Sequence, residues 1–295
     1  MVDLTISIIN YKTKDLTSYC ISGILKQKIT TKYEVWLIDN ASVDDSVEFF
    51  KKNFPQVKVI ESEKNLGFAG GHNLALRNIT TQYVLILNSD TLVLDNTIDS
   101  MVDFMEKNQE VGVSSCKILN FDGTLQPNAG DAPFGLSLIN WLFNLESLGI
   151  KKPSFHRNDP GFYEKPHEVG WVSGSFMLVK KEVFDKIGFL NDDFFMYFED
   201  AEFCYRASKK GFKIMINPSV SIKHLSGGSL KDPKFRQWAG EYKGLIRFYQ
   251  QQLGVLPSLV VRSLIYLSII LRIVAFSLLG KLEVAYTYGK VITSF

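Results

Sequence analysis

The feature that most constrains the fold is a run of five apolar residues, Tyr83–Leu87, followed at once by Asn88, Ser89 and Asp90. A short apolar run between polar segments predicts a strand that is buried on both faces, as in a parallel sheet. Such a strand would deliver Asp90 to the carboxyl edge of the sheet, where open α/β folds bind their ligands. On this segment alone, Asp90 could equally be the cap of the next turn.

Strand and helix patterns alternate through the first 117 residues. Strands are predicted at 4–10, 33–39, 57–61, 83–88 and 111–115. A first helix is predicted at 16–27, and a second follows an N-cap formed by Ser42 with Asp45. Two further helices are predicted at 74–79, after a glycine-rich stretch, and from Asp95 to Met105. This alternation predicts an α/β fold with a mostly parallel sheet flanked by helices.

The pattern changes from residue 118 onwards. Asp122 and Gly123 predict a hairpin turn, and residues 128–168 read as a long loop with one short helix around 136–145. A loop of that size in a compact domain is usually a lid or a binding element. Strands are predicted at 169–179, where Gly174 interrupts the strand, at 213–217, and in a short segment that ends at His224. Helices are predicted at 181–187, from the acidic pair Glu199-Asp200 to residue 210, and at 232–252.

Charge and cysteine content exclude several classes of protein. The net charge is +2, so no global field favours nucleic acid. The basic excess lies in residues 255–295, which carry a net charge of +3, whereas the rest of the chain carries −1. The three cysteines form no CxxC pair, so neither a disulfide framework nor a zinc site is indicated. The amino terminus does not read as a signal peptide, and we expect a reducing cytosol.

Two acids stand at the ends of predicted parallel strands. Asp39 and Asp90 would therefore lie on the same edge of the sheet. A carboxylate there can accept hydrogen bonds from a base or ribose, and one beside a diphosphate usually holds Mg²⁺ or Mn²⁺. Gly67, Gly70 and Gly71 allow the backbone to approach a ligand closely. They match neither the P-loop nor the dinucleotide fingerprint, so simple loop flexibility remains an alternative.

Seven motifs in a fixed order resemble those of glycosyltransferase family 2, in its rhamnosyltransferase-like branch, over about residues 3–252. They are Ile8-Ile9-Asn10-Tyr11, Asp39-Asn40-Ala41-Ser42, the stretch from Asn65 to Asn73, Asn88-Ser89-Asp90-Thr91, Trp171-Val172-Ser173-Gly174, Phe194 to Asp200, and His224 with Gly227-Gly228-Ser229.

The resemblance implies a GT-A, Rossmann-like fold that binds a nucleotide-diphosphate sugar and transfers the sugar with inversion. Asp39 would read uracil or thymine. The implied nucleotide-sugar site comprises Asn10, Tyr11, Asp39, Asn40, Asn65, Gly67, Phe68, Gly71, Asn73 and Ser89, and the implied acceptor site comprises Trp171, Ser173 and Gly174. Trp171 would stack on a pyranose ring, although a core position explains it as well.

A divalent cation, Mg²⁺ or Mn²⁺, is the cofactor that the resemblance implies. The family motif is often written DxD, whereas this chain has Asn88-Ser89-Asp90 and keeps only the last acid. Asp90 and His224 are the expected ligands. Taken alone, His224 would more often be an ordinary histidine at a strand end.

Asp200 is the expected catalytic base, with Glu199 held in reserve or orienting the acceptor. The acceptor hydroxyl loses a proton as it attacks, and a positioned carboxylate can accept that proton. An acid that opens a helix beside aromatic residues can be desolvated, which raises its pKa. The competing interpretation of this acidic pair is a helix N-cap.

The expected organisation is a catalytic domain over residues 1–254, with a nucleotide-binding half (1–117) and an acceptor-binding half (118–254), followed by a hydrophobic, basic helical tail (255–295). The apolar run from Leu256 is long enough to span a bilayer, but Arg262 and Arg272 make spanning costly. An interfacial helix fits best, with both arginines reaching lipid headgroups on the inner face of the cell membrane. A tail that packs on the domain or forms a dimer is the alternative.

The favoured substrates are dTDP-rhamnose and a lipid-linked saccharide of a cell-surface polysaccharide. Galactose, galactofuranose and N-acetylglucosamine remain alternative sugars. Two other classes of protein compete with this hypothesis. A nucleotidyltransferase would need a glycine-rich basic loop after the first strand, which Asn10 to Lys14 does not provide. A non-catalytic nucleotide-sugar-binding protein on a membrane would bind without cation-dependent turnover.

Overall fold

A computed structural model describes residues 3–149, 153–225 and 233–295. The buried run forms the central strand β4 (Tyr83–Leu87). β4 pairs in parallel with β1 (Leu4–Asn10), β1 with β2 (Tyr33–Asp39), and β2 with β3 (Lys58–Glu61). These four strands confirm the parallel sheet predicted for the first half of the chain.

Most of the remaining strands extend the sheet on the other side of β4. The described strands after β4 are β5 (Thr91–Val93), β6 (Val111–Leu119), β7 (Leu125–Gln126), β8 (Ala129–Gly130), β9 (His167–Glu168), β10 (Trp171–Val172), β11 (Phe176–Lys180) and β12 (Lys213–His224). The strand order is β3-β2-β1-β4-β11-β6-β12-β5, with β7 on β6 and β9 on β12, while β8 and β10 form a separate antiparallel pair. β11 runs antiparallel to both of its neighbours, so the sheet is mostly but not wholly parallel.

The helices cover both faces of this sheet and form the carboxyl-terminal part of the chain. They are α1 (Lys14–Leu25), α2 (Ser46–Asn53), α3 (Gly67–Leu76), α4 (Thr97–Lys107), α5 (Gly135–Phe143), α6 (Lys181–Ile187), α7 (Glu199–Lys209), α8 (Pro233–Leu253), α9 (Val255–Leu278) and α10 (Leu282–Ile292).

The side chains of β4 alternate between two hydrophobic cores. Leu85 and Leu87 point into a core shared with α1, α2 and α4. Val84 and Ile86 point into a larger core that also receives α7, α8 and the tail helices. Two-sided burial of this kind is what a continuous apolar strand predicts.

Several predicted boundaries were wrong for identifiable reasons. The glycine-rich stretch is itself the first part of α3, because its glycines pack closely against neighbouring elements instead of forming a loop. Ser42 does not cap α2; its hydroxyl donates to Asp39 Oδ2 at 2.7 Å. The strands predicted at 213–217 and before His224 are one strand with an irregularity between Asn217 and Ser221. β5 and α10 were not predicted.

The tail packs on the catalytic domain along one side of α9. Val261, Ile265 and Ile269 are buried in the larger core. Arg272 donates hydrogen bonds to the carbonyl oxygens of Trp141 and Leu142 at the end of α5. The expectation that Arg272 reaches lipid headgroups was therefore wrong, because its guanidinium binds carbonyl oxygens at the carboxyl terminus of a helix, where a positive charge is favourable.

Candidate functional site

A cavity of about 1020 Å³ opens at the carboxyl edge of the central strands. It collects predicted residues from both halves of the catalytic domain. The lining includes Tyr11, Asn40, Asn65, Gly67, Phe68, Ser89, Asp90, Trp171, Ser173, Gly174, Glu199, Asp200 and His224. The fold therefore brings together residues that lie more than 200 positions apart in the sequence.

Asp39 lies at the same edge but holds a polar network together. Its Oδ2 accepts hydrogen bonds from Asn10 Nδ2 at 2.7 Å and from the Ser42 hydroxyl, and its Oδ1 accepts one from the Ser42 amide at 2.9 Å. Asn10 is wholly buried and does not line the large cavity. Asp39 lines a separate cavity of about 430 Å³. A carboxylate offers about four acceptor positions, so these three bonds leave room for one donor from a base.

Asn40 connects the end of β2 to the start of α3. Its Nδ2 donates to Asn65 Oδ1 and to the Gly67 carbonyl, both at 3.0 Å, while its Oδ1 accepts from the Leu66 amide at 2.9 Å. Gly67 has a φ of +72°, and a Cβ there would collide with the Phe195 carbonyl oxygen. This arrangement explains the need for glycine at position 67 and joins α3 to the segment before α7.

Gly71 and Asn73 do not line the cavity, and their contacts are internal. A Cβ at Gly71 would lie 2.7 Å from Ile9 Cδ1, so glycine there permits α3 to pack against β1. Asn73 is buried and donates to the Leu190 carbonyl at 2.8 Å. The family-implied roles of these two residues at the nucleotide sugar remain predictions.

Asp90 and His224 meet because β5 and β12 pair with Thr91 opposite His224. Asp90 Oδ1 lies 3.0 Å from His224 Nε2. On the other side of the ring, His224 Nδ1 lies 2.6 Å from Gln126 Oε1, an oxygen that can accept a hydrogen bond from Nδ1–H. His224 Nε2 also lies 3.0 Å from the side-chain amide nitrogen of Asn88.

The motif residues Gly227, Gly228 and Ser229 lie outside the described residues. Within the described part of the chain, no third histidine, cysteine or acid joins Asp90 and His224 in a metal-binding cluster.

Glu199 and Asp200 open α7 and line the same cavity. Burial raises the pKa of Glu199 well above its usual range, and the neighbouring Asp200 charge raises it further. Within the part of the chain that the structure describes, Glu199 Oε2 has no hydrogen-bond partner. Burial also raises the pKa of Asp200, but hydrogen bonds from the Gly174 and Ala201 amides, at 3.1 and 2.8 Å, oppose that rise. The two acids thus differ in how well their ionised forms are stabilised.

Of the acceptor residues predicted from the sequence, Gly174 contacts Asp200. The Gly174 amide binds its carboxylate, and a Cβ at Gly174 would lie 2.8 Å from the Phe68 ring. Trp171 is 5% exposed; its indole N–H donates to the Phe155 carbonyl at 2.7 Å, and its ring stacks on Phe155 with centroids 4.9 Å apart. One face of Trp171 is therefore occupied by the protein itself.

The sequence did not identify a second group of cavity residues. These are Gln126, Trp141, His156, Glu241 and Arg272, from β7, α5, the long loop, α8 and α9. None belongs to a motif that was recognised, and they meet only through the packing of distant elements. The loop length was the one available signal, since it predicted a binding element without naming residues.

The sequence matches Glycosyl transferase family 2 over residues 5–188, which is more than half of the chain. A hexosyltransferase of low-salt glycan biosynthesis, Agl10 from Haloferax volcanii, is 30% identical over 216 residues, or 72% of this chain and 64% of that protein. An N-acetylglucosaminyl-diphospho-decaprenol L-rhamnosyltransferase from Mycobacterium tuberculosis is 26% identical over 68% of this chain and 69% of its own length. The chain thus spans less than two thirds of the archaeal relative.

Solved structures show the same fold at low sequence identity. Mannosyltransferase PcManGT from Pyrobaculum calidifontis, in complex with GDP-Man and Mn²⁺, has a TM-score of 0.58 and 16% identity over 98% of this chain and 86% of its own. S. aureus TarS has a TM-score of 0.56 and 15% identity over 90% of this chain and 69% of the solved one. The predicted GT-A fold is confirmed.

Proposed function

Since the chain belongs to glycosyltransferase family 2, we propose that it transfers a sugar, with inversion, from a nucleotide-diphosphate sugar to a hydroxyl of a lipid-linked saccharide. The observation that carries this proposal is the cavity that is lined by both the Asp90–His224 pair and the Glu199–Asp200 pair. The Asp90–His224 pair suits the leaving diphosphate, and the Glu199–Asp200 pair suits the attacking hydroxyl.

Asp90 and His224 fit a divalent cation, either Mg²⁺ or Mn²⁺. Neighbouring ligands of an octahedral cation at about 2.1 Å lie about 3 Å apart, and the observed Oδ1–Nε2 distance is 3.0 Å. The Gln126 contact on Nδ1 leaves Nε2 available as a ligand, in the manner of metal-binding histidines. When bound, the cation would offset the negative charge that builds up on the leaving diphosphate.

Asp200 is the better candidate for the base. The acceptor oxygen forms a bond to the anomeric carbon while the bond to the diphosphate oxygen breaks, and the acceptor proton passes to Asp200. Two backbone amides stabilise its ionised form. Glu199 Oε2 is buried with no partner among the described residues, which favours the protonated form of Glu199. A protonated Glu199 can donate a hydrogen bond but cannot accept the proton.

Rhamnose from dTDP-rhamnose is the favoured sugar, and a lipid-diphosphate saccharide of the cell envelope is the favoured acceptor. The names of the mycobacterial relative and of the E. coli rhamnosyltransferase WbbL support this choice. Galactose, galactofuranose and N-acetylglucosamine remain alternative sugars, because relatives in the same family transfer different hexoses.

The test is a panel of nucleotide sugars, including dTDP-rhamnose, assayed with Mg²⁺ or Mn²⁺ for nucleoside diphosphate release. Each donor is assayed with and without N-acetylglucosaminyl diphosphate carrying an undecyl chain, and glycosylated product is detected by mass spectrometry. We expect one donor to be cleaved much faster with the acceptor present. Binding of a nucleotide sugar without turnover under any of these conditions would instead support a non-catalytic binding protein.

The tail is proposed to hold the enzyme on the cytosolic face of a membrane. α9 is long and apolar enough to cross a membrane, but one side of it is buried in the domain. Its other side carries an exposed apolar stripe, composed of Leu256, Leu259, Val260, Leu267, Ile270, Leu271, Val274 and Leu278. A helix held this way suits a position parallel to the membrane, with the stripe in the lipid.

Truncation after Gly254 would remove buried core residues, so point variants test the membrane proposal more cleanly. The double variant Leu267→Glu/Val274→Glu should lower the fraction that pellets with phosphatidylglycerol vesicles about tenfold and leave donor cleavage unchanged. Tyr19→Glu, at an exposed site on α1, is the matched control. If the parent does not pellet and sediments as a dimer that the double variant splits, the stripe is a dimer interface instead.

A further inference from the structure

We infer that the part of the cavity between the long loop, α5, α8 and the tail binds the acceptor saccharide, and that Glu241 recognises its hydroxyl groups. The inference rests on the proposed function and adds residues that no motif indicated. It also gives the tail a role inside the active site, in addition to any contact with a membrane.

α8 lies against the catalytic segment because two of its residues are glycines. A Cβ at Gly240 would collide with the Tyr197 ring, and a Cβ at Gly244 would collide with Phe198. Tyr197 and Phe198 have φ angles of +73° and +76° and directly precede Glu199. The backbone of α8 therefore touches the turn that positions the catalytic acids, and the residue after Gly240 is Glu241.

The Glu241 side chain is held in place within the cavity wall. Gln237, one turn earlier in α8, donates to Oε1 at 3.0 Å. Oε2 lies 3.6 Å from His156 Nε2, which is beyond hydrogen-bonding distance. The side chain is 14% exposed, so the carboxylate is partly desolvated yet accessible from the cavity. Oε2 can accept hydrogen bonds from a ligand.

The charge of this region selects the class of ligand. Asp200 and Glu241 line this part of the cavity beside Arg236, Lys243 and Arg272, and a ligand group in direct contact with a carboxylate is repelled by it if that group is a phosphate. A neutral saccharide does not suffer this repulsion, and its hydroxyls donate strong hydrogen bonds to a carboxylate. The acceptor sugar therefore fits here, whereas the donor diphosphate fits on the side of Asp90.

Aromatic rings form the rest of this subsite. Trp141 is half-buried and lies 5.9 Å from Tyr242, measured between ring centroids, and 5.4 Å from His156. Trp238 stacks on Tyr288 of α10 at 4.4 Å, with the rings 14° apart. Flat apolar walls with a few polar groups are typical of ligand sites, and the C–H face of a pyranose packs well on such rings.

The tail contacts this aromatic wall and helps to hold it in place. Arg272 of α9 donates to the carbonyl oxygen of Trp141, and its guanidinium lies 5.7 Å from the Tyr288 ring centroid. Arg272 therefore connects α5, α9 and α10 at one point. Through this connection, the position of Trp141 depends on the tail, so membrane docking and acceptor binding involve the same helices.

The experiment compares Glu241→Gln with the parent in two assays. The first is transfer from the accepted nucleotide sugar to undecyl-diphosphate-linked N-acetylglucosamine, and the second is slow hydrolysis of that donor in the absence of acceptor. A hydrogen bond to a charged group contributes enough to change affinity about 10- to 100-fold. We expect the acceptor KM to rise by that factor, with donor KM and donor hydrolysis unchanged within about twofold.

Glu182→Gln, on the exposed surface of α6, is the matched control and should behave like the parent. Thermal unfolding of Glu241→Gln should also match that of the parent, which separates a binding role from a structural one. Equal acceptor KM in Glu241→Gln and parent would overturn the inference. Parallel loss of donor hydrolysis would overturn it too, because Glu241 would then act on the donor. If the parent itself cleaves no donor, the proposed function fails first.

Discussion

Two groups of buried polar side chains, at or beside the cavity, are hydrogen-bonded to different extents. On the proposed donor side, Asp39, Asn10 and Asn40 form hydrogen bonds with one another and with neighbouring groups. On the proposed acceptor side, Glu199 Oε2 and His156 Nε2 are buried without hydrogen-bond partners among the described residues. A satisfied network is rigid, whereas an unsatisfied buried group costs free energy in the folded state.

Under the proposed function, this difference matches two different tasks. The donor side would hold a nucleotide and a diphosphate in a fixed position, and a satisfied hydrogen-bond network suits that task. The acceptor side would need carboxylates with raised proton affinity, and burial raises the pKa of both Glu199 and Asp200. Variants of Asp200 and Asp90 test whether acceptor-side and donor-side functions can be impaired separately.

The largest effect is expected from Asp200→Asn. The amide keeps the shape of the side chain but cannot accept a proton, so transfer should fall about 10²- to 10⁴-fold while the donor Kd stays unchanged. Asp185→Asn, on the exposed surface of α6, is the control. Retention of transfer within tenfold would move the base role to another residue.

The pH dependence of the parent gives an independent measure of the same group. A base must be deprotonated, and burial raises the pKa of Asp200 above the usual value for aspartate. As the pH falls through that raised pKa, kcat/KM for transfer should fall by a factor of ten per pH unit. Donor binding, measured on the side of Asp90, should not follow this profile.

The next effect in size is expected from Asp90→Ala. Loss of one of two proposed cation ligands should lower kcat/KM for the donor by something on the order of 100-fold and remove the dependence on added Mn²⁺. Binding of the acceptor alone should be unchanged, which would separate the two sides in the opposite direction from Asp200→Asn. Asp95→Ala, at an exposed position after β5, is the control. A Mn²⁺ titration identical to that of the parent would exclude Asp90 as a ligand.

The donor side could be read from the sequence because its residues directly follow strands. The apolar run of β4 and the acid after β2 predicted both the parallel sheet and the edge at which Asp39 and Asp90 lie. Periodicity and motif order are local signals, and this side of the site is built from local signals.

The acceptor side could not be read in this way. Trp141, His156 and Glu241 come from a helix in the long loop, from the loop itself and from α8. Their meeting depends on tertiary packing, such as the close approach that Gly240 permits. The prediction for Arg272 was wrong for the same reason. The apolar residues around it in α9 indicated a contact with lipid, and nothing in the sequence indicated that it binds a carbonyl oxygen of α5.

The smallest effect is expected in stability, and it compares two buried acids of α7. Among the described residues, the Oε2 atom of neither acid has a hydrogen-bond partner, but Glu202 Oε1 accepts a hydrogen bond from Arg206 at 2.8 Å. Burial raises the folded-state pKa of Glu199 above its unfolded value, so the folded state binds more protons between those two pKa values. Stability therefore falls as the pH rises through that window.

Glu199→Gln removes the cost of burying an ionised carboxylate. At pH 8 its unfolding temperature should exceed that of the parent by a few degrees, and at pH 5 the difference should be smaller. The measurement is thermal unfolding followed by circular dichroism. Glu202→Gln is the matched control and should shift the temperature in the opposite direction, because it weakens a buried ion pair. A lower unfolding temperature for Glu199→Gln at both pH values would mean that the ionised carboxylate is stabilised in the fold. In that case the acceptor side would resemble the donor side, and the contrast between them would not hold.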